Sequence, residues 1–359
     1  MAIFPTQSEA NFISGNSHLR RHRAAVIGLG QVGSGFDSEP ERKQIWTHVG
    51  AYLALAEHFD ISGACDIDAA NIEAFHRRCP GVPVFESIKE LILEQAPDVV
   101  SIATPPAHHA TAVKTAIALG VKTIWCEKPL TGDIASAQVL ASSVKQAGAR
   151  LFVSYVRRWL PLWVRVVELL SSGAIGKVRS IRVSIPNRIL TMGSHGLDLL
   201  SMLGGEVRQV ASVEFKELRE DDEAAIAAIL TFESGAVGIL QPTGFQRQLI
   251  VEADIFGDDG RIRVREDCNK IEIESFSPSS SYKNYRQLSS LRSEKHAGFD
   301  NDSPFVRIAT DIAEHLNGKR VPIRCGIVEA LRIQALIESV SAVGEKTQSI
   351  LEDPALVER

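Results

Sequence analysis

The sequence predicts an α/β fold in two parts: an N-terminal Rossmann domain with a doubly wound parallel sheet, and a C-terminal α+β domain with a large, mainly antiparallel open sheet. Three observations predict it. Over the first 150 residues, short apolar runs alternate with segments of helical period, as in a parallel sheet with crossover helices. The first run, Ala24 to Ile27, passes straight into Gly28-Leu29-Gly30-Gln31-Val32-Gly33, a G-x-G-x-x-G pattern. Beyond Gly205, strand-like runs follow one another across Gly- and Asp-rich turns instead. A chain of 359 residues is too long for one ordinary core. The expected division is a tail over 1–20, a dinucleotide-binding domain over 21–150 and a substrate-binding and oligomerisation domain over 151–359.

Composition narrows the class. With 45% apolar and 23% charged residues the chain reads as a globular, soluble protein. A net charge of −5 with no run of like charge gives no nucleic-acid-binding surface. No apolar run reaches the length of a membrane span. The five cysteines are odd in number and scattered, with neither a metal-ligand spacing nor a disulfide framework, which suits a reducing cytoplasm and no bound metal.

In the glycine pattern the first glycine permits a tight turn, the second lets backbone approach a pyrophosphate, and the third lets the following helix pack closely. Gly28, Leu29, Gly30, Gln31, Val32 and Gly33 are therefore candidate cofactor contacts. Ser34 to Gln44 is polar and reads as an insertion ahead of a helical run from Ile45 to Phe59. A second strand, Ile61 to Cys65, ends at Asp66, where an acid can accept both ribose hydroxyls and repel a 2′-phosphate; this favours NAD over NADP. Asp68 nearby suits a helix N-cap. Val82 to Phe85 and Asp98 to Ala103 continue the strands, with a helix over Ser87 to Gln95 between them. Thr104-Pro105-Pro106 ends the ladder and opens a helix, leaving Thr104 and Pro105 at the cofactor crevice. Of His108 and His109 on that helix, at least one is expected to be merely packed or solvated.

The apolar run Ile124 to Cys126 reads as a buried parallel strand, so Glu127 and Lys128 fall at its carboxyl end, where open α/β sheets bind ligands. Pro129 stops the pairing there, and a cis Lys-Pro bond is one way to aim the ammonium into a cleft. A helix over Ile134 to Ala147 and a strand over Leu151 to Val153 follow, then Tyr155, Arg157 and Arg158, which offer a hydroxyl and cations to a polyhydroxylated or anionic ligand. Ser194 is a candidate cap for a nearly all-apolar helix over His195 to Leu203. His195 and Asp198 are its polar exceptions, three apart on one face. A helix N-terminus disfavours imidazolium, so His195 is expected neutral and able to take a proton; a self-satisfied His-Asp core pair is the plainer alternative. Ala224 to Phe232, Ala236 to Leu240, Leu249 to Phe256 and Ile262 to Val264 are strand-like, Ser277 to Ser293 reads as a long loop, and Phe305 to Leu316 and Ile327 to Val343 as closing helices. An open antiparallel face pairs readily with a second copy, so a homodimer or homotetramer is expected.

The ordered set GLGQVG, ATPPAHH and CEKPL resembles the Gfo/Idh/MocA family of NAD(P)-dependent sugar and cyclitol oxidoreductases. The likeness continues through YVRRWLP, SGAIGK and GSHGLD and covers about residues 22–345. It implies a dehydrogenase or reductase acting on CH–OH groups of a polyhydroxylated small molecule, with Lys128 beside the nicotinamide and the reacting hydroxyl, His195 as proton donor or acceptor, and His109 as the histidine of the T-P-x-x-x-H segment. Where the family often carries an aspartate four residues before the histidine, this chain has Thr191, which implies a shorter proton relay or a different substrate. Two rivals share this fold: a non-catalytic NAD-bound sensor or co-regulator, and an enzyme that oxidises and re-reduces a sugar transiently to allow elimination or hydrolysis.

Overall fold

The structure, a computed structural model, describes residues 20–39, 41–42, 44–186, 189–215, 225–243, 250–296 and 303–343. The expected N-terminal tail falls almost wholly outside them. The first sheet has six parallel strands: β1 (His22–Ile27), β2 (Phe59–Cys65), β3 (Val84–Phe85), β4 (Val99–Ile102), β5 (Thr123–Cys126) and β6 (Arg150–Val153). Their order is β3-β2-β1-β4-β5-β6. The chain reverses direction across the sheet between β1 and β4, which opens a crevice at their carboxyl ends. Ala24, Ala25, Val26, Val99, Val100, Ile124, Trp125 and Phe152 are buried, as strands covered on both faces require.

Helices α1 (His48–Ala54), α2 (Ala69–Arg78), α3 (Ile88–Gln95), α4 (Pro106–Ala118) and α5 (Ile134–Gln146) make the crossovers. Side chains of Thr47, Asp68, Ser87 and Asp133 cap four of them. The helical run expected from Ile45 to Phe59 is cut to seven residues. Asp37, in the expected insertion, accepts from the Trp46 amide at 2.6 Å and from the Thr47 hydroxyl at 2.5 Å, which fixes the start. At the other end, Phe59 already pairs with His22 as strand.

The second sheet has eight strands: β7 (Val178–Ile185), β8 (Val207–Phe215), β9 (Ala225–Phe232), β10 (Val237–Pro242), β11 (Glu252–Gly257), β12 (Gly260–Arg265), β13 (Lys270–Pro278) and β14 (Arg286–Lys295). The order is β14-β13-β12-β11-β7-β10-β9-β8, antiparallel except for the β7–β10 pair. Here the long loop expected from Ser277 to Ser293 is corrected: its first two residues end β13 and Arg286 to Ser293 lie in β14, the two strands pairing from Lys270↔Lys295 to Pro278↔Arg286. Serines and charges suit an exposed edge strand as well as a loop, and only the partner strand decides between them.

Helices α6 (Pro161–Ser171), α7 (Ser194–Gly204), α8 (Pro304–Leu316) and α9 (Ile327–Val343) complete the described chain. α7 crosses the inner face of β7 and β10 very closely: a Cβ on Gly196 would lie 2.4 Å from Leu240 Cδ1. That approach buries most of α7 and sets His195 at the inner edge of the sheet. α9 packs on α5, α7 and β8, and α8 packs on α1 and on the short 3₁₀ turn Val156–Trp159. No helix among the described residues is long and apolar enough to cross a membrane.

Candidate active site

At the carboxyl end of β1 the glycine loop is shaped by what would replace its hydrogens. Gly28 has φ +89°, and a Cβ there would lie 2.7 Å from the Ala103 carbonyl group. A Cβ on Gly33 would lie 2.0 Å from the Gly28 oxygen. Around Gly30 a Cβ would meet nothing within 4 Å, so this face of the loop is open to a ligand. Gln31 and Val32 then enter a π-helical turn, Gln31–Gly35, whose first amides have no partner within the turn. The expected long helix does not follow directly; a 3₁₀ turn, Phe36–Ser38, intervenes.

Asp66 stands at the end of β2. Its Oδ2 accepts from the Leu29 amide at 2.6 Å and its Oδ1 from the Asp68 amide at 2.9 Å, which ties the acid to the glycine loop. Oδ2 also accepts from the Asn71 side-chain amide at 3.4 Å, while Oδ1 keeps a second lone pair for a hydroxyl. Asp68 caps α2, accepting from Ala70 and Asn71. An open approach at Gly30, a turn of amides and a carboxylate on the next strand fit a dinucleotide.

On the other side of the crevice, Thr104 and Pro105 join β4 to α4. Within this helix His108 is exposed while His109 is fully buried, its Nδ1 2.9 Å from the Pro129 carbonyl and its Nε2 2.8 Å from the Thr104 carbonyl. His109 therefore offers no surface to a cofactor and instead ties the Thr104 loop to the Lys128–Pro129 turn. The Lys128–Pro129 bond is cis. Glu127 is buried. Burial opposes its charge, yet hydrogen bonds from His48 and Ser154 and the nearby Lys128 ammonium outweigh that and hold the carboxyl below its usual range.

Lys128 is half-buried, and its Nζ donates to the Thr191 carbonyl at 3.2 Å. Thr191 lies in a π-helical turn, Ile189–Gly193, that runs directly into α7. Ser194 is consequently not the expected N-cap: its hydroxyl donates back to the Thr191 carbonyl at 2.8 Å. His195 follows one residue later and is 6% exposed. Burial, then the charges of Arg157 and Lys128, push its imidazole well below the ordinary histidine range, so it is neutral at neutral pH. The neutrality was expected; its cause is burial and cations, not a helix terminus, because helical turns continue upstream.

Behind His195 lies a supporting layer. Asp198 is fully buried and accepts from Arg158 Nε at 2.7 Å, so the partner of Asp198 is Arg158 and not His195. Although burial opposes the Arg158 charge, Asp198 holds its pKa above the usual arginine value. The Tyr155 ring stands edge-on to His195 with centroids 5.7 Å apart. Tyr155 and Arg157 are 0% and 4% exposed. Tyr155, Arg157 and Asp198, expected as substrate contacts, are all buried, and Asp198 is paired with Arg158. Thr191 alone of that set has an exposed position. Sequence reasoning missed Arg158 as the partner of Asp198, and it missed His48, which reaches Glu127 across 79 residues.

A crevice with a glycine cradle, an acid on the second strand, and a cation and a neutral imidazole at its far end define the site of an NAD-binding oxidoreductase. Residues 22–155 match the model of the oxidoreductase family with an NAD-binding Rossmann fold, Gfo/Idh/MocA. An uncharacterized oxidoreductase, YrbE, of Bacillus subtilis is 26% identical over 261 residues, which are 67% of this chain and 70% of that protein. The inositol 2-dehydrogenase of Corynebacterium glutamicum is 27% identical over 206 residues, 54% of this chain and 57% of that one. In fold, the chain is similar to the WlbA dehydrogenase of Bordetella pertussis, solved with NADH and UDP-GlcNAcA, with a TM-score of 0.71 at 18% identity over 90% of this chain and 97% of that chain.

Proposed function

We propose that the chain is an NAD-dependent dehydrogenase that moves a hydride between a secondary carbinol of a sugar, cyclitol or nucleotide-linked sugar and C4 of the nicotinamide. The observation that supports this most is the 3.2 Å contact from Lys128 Nζ to the Thr191 carbonyl, which ties the charged tip of β5 to the turn that carries His195. NAD, when bound along the glycine loop with Asp66 accepting its ribose hydroxyls, supplies the hydride acceptor. The residues of the chain handle the oxygen and its proton. Neutral His195 takes the hydroxyl proton, a role worth about 10²–10⁴-fold. Lys128 holds the same oxygen and offsets the negative charge that grows on it as the C–H bond breaks. Arg158 and Asp198 hold α7 in register, and Tyr155 sets the plane of the imidazole. With Thr191 where an aspartate is common, no carboxylate relays the proton from that position. The inositol 2-dehydrogenase relative supports a cyclitol or sugar as substrate class, and the cysteine pattern supports a cytoplasmic site of action.

The test is absorbance at 340 nm with a panel of cyclitols, aldoses and nucleotide-linked sugars, offered with NAD and with NADP to the native chain and to Asp66→Ser. The native chain is expected to form NADH with at least one polyol and to prefer NAD. Asp66→Ser is expected to lose about tenfold or more of that preference, the weight of one good polar contact. Tight NAD binding with no reduction anywhere in the panel would favour a sensor instead.

A further inference from the structure

Beneath Lys128 lies a buried polar chain that the reaction itself does not use. His48, the first residue of α1, is fully buried between Trp125 (ring centroids 3.9 Å apart) and Phe305 of α8 (5.5 Å). Its Nε2 is 3.1 Å from Glu127 Oε1 and its Nδ1 is 3.0 Å from Ser101 Oγ, which in turn is 2.8 Å from the Tyr52 hydroxyl. With a neutral imidazole, one assignment of protons satisfies every link. Glu127 is a carboxylate and can only accept, so His48 Nε2–H donates to it; Nδ1 then accepts from Ser101, and Ser101 accepts from the Tyr52 phenol. Burial keeps that phenol protonated, lifting its pKa above the usual value. From the other side Trp125 Nε1 donates to Ser154 Oγ at 2.8 Å, and Ser154 bonds Glu127. Five residues from α1, β4, β5 and the segment after β6 thus fix one carboxylate.

A purely structural account is weak here. Apolar side chains would fill this core without the desolvation that a buried carboxylate and imidazole incur. What distinguishes Glu127 is its place: its Oε2 accepts from the Lys128 amide at 3.3 Å, and its charge lies next to the Lys128 ammonium. We propose that His48 is a positioning residue for Lys128, holding Glu127 as a fixed anion that sets both the backbone at the end of β5 and the field at the Lys128 amine. The proposal deepens the dehydrogenase reading above and rests on it for its kinetic arm only. His48 touches no substrate, and its partners span both sheets' helices, since Phe305 on α8 closes the cage.

The test uses His48→Phe, which keeps an aromatic ring against Trp125 and Phe305 but removes both nitrogens, and His48→Gln, whose amide N–H can still reach Glu127. Two readouts are taken on the full-length chain: turnover and NAD affinity with the best polyol of the panel, and the rate at which acetic anhydride labels Lys128, followed by peptide mass spectrometry with Lys122 and Lys145 as internal references. His48→Phe is expected to lower turnover about 10–100-fold, as loss of an orienting partner does, to leave the NAD dissociation constant within about twofold, and to change the relative labelling rate of Lys128 at least about threefold. His48→Gln is expected to recover most of both. Should His48→Phe fail to fold, Ser101→Ala loosens the same imidazole from one step further away and is expected to shift both readouts in the same direction by a smaller factor. Unchanged turnover and unchanged Lys128 labelling in the folded variant would overturn the proposal. If Lys128→Ala itself kept full turnover, the dehydrogenase reading would fail, while the labelling rates would still judge whether His48 governs Lys128.

Discussion

His195 shows how much of the site is decided one residue at a time. Its imidazole is 6% exposed and is held well below the ordinary histidine range by burial and by two cations, Arg157 and Lys128. The sign of the consequence follows from linkage. The unfolded chain takes up a proton near pH 6.5, the folded one does not, and so stability falls as pH drops below about 6.5 toward the folded value. One such group removes roughly 1.4 kcal/mol per pH unit in that window. Urea unfolding at pH 7.5 and 5.5 is expected to show a larger loss in the native chain than in His195→Asn, by about that amount; equal losses would place a charged imidazole in the fold. The type of this residue and its spacing from Asp198 were legible in the sequence. The partner of Asp198 was not, because Arg157 and Arg158 are adjacent and only the 3₁₀ turn Val156–Trp159 decides which of them turns toward α7. His48 was equally hidden. Inside the helical run expected from Ile45 it carries no signal of its own, and its pairing with Glu127 depends on β5 lying alongside β4 in the folded sheet.

At the scale of elements, the glycine loop separates folding from binding. Gly33 closes the loop on Gly28, with 2.0 Å between a hypothetical Cβ and the Gly28 oxygen, whereas Gly30 faces open space. Gly33→Ala is therefore expected to destabilise the chain by about 1–3 kcal/mol, the usual result of forcing a methyl into a packed site. Gly30→Ala is expected to stay within about 0.5 kcal/mol of the native stability, yet, if NAD lies along the loop as proposed, to weaken NAD binding at least about tenfold, because the added methyl would meet the pyrophosphate. Denaturation and NAD titration of both variants check the contrast, and a Gly30→Ala chain that binds NAD normally would remove the cofactor from this loop. The elements themselves divide in the same way. Strands of the first sheet and their helices were legible from period and caps, since each carries its own turn and breaker residues. The β13–β14 hairpin was not, because its serines and charges fit a loop until the partner strand is in place.

On the scale of the whole molecule, the second sheet presents a face of cross-strand ion pairs. Arg182 lies opposite Asp254, Arg263 opposite Glu272 and Arg261 opposite Glu274, each pair bonded across neighbouring strands. Exposed Ile229 lies further along on β9. Cross-strand charge pairs with an exposed isoleucine nearby suit contact with a second copy, and light scattering is expected to give two or four times the monomer mass. A monomeric mass at micromolar concentration would leave that face to solvent.

The central claim is that the Lys128 amine and the His195 imidazole act on one oxygen. Single-turnover NADH formation by Lys128→Ala, His195→Asn and the double variant tests it most directly, because groups that serve one oxygen are strongly non-additive. Each single variant is expected to lose at least about a hundredfold, and the double variant little more than the worse of the two. Losses that simply multiply, or a single variant that turns over normally, would contradict the account.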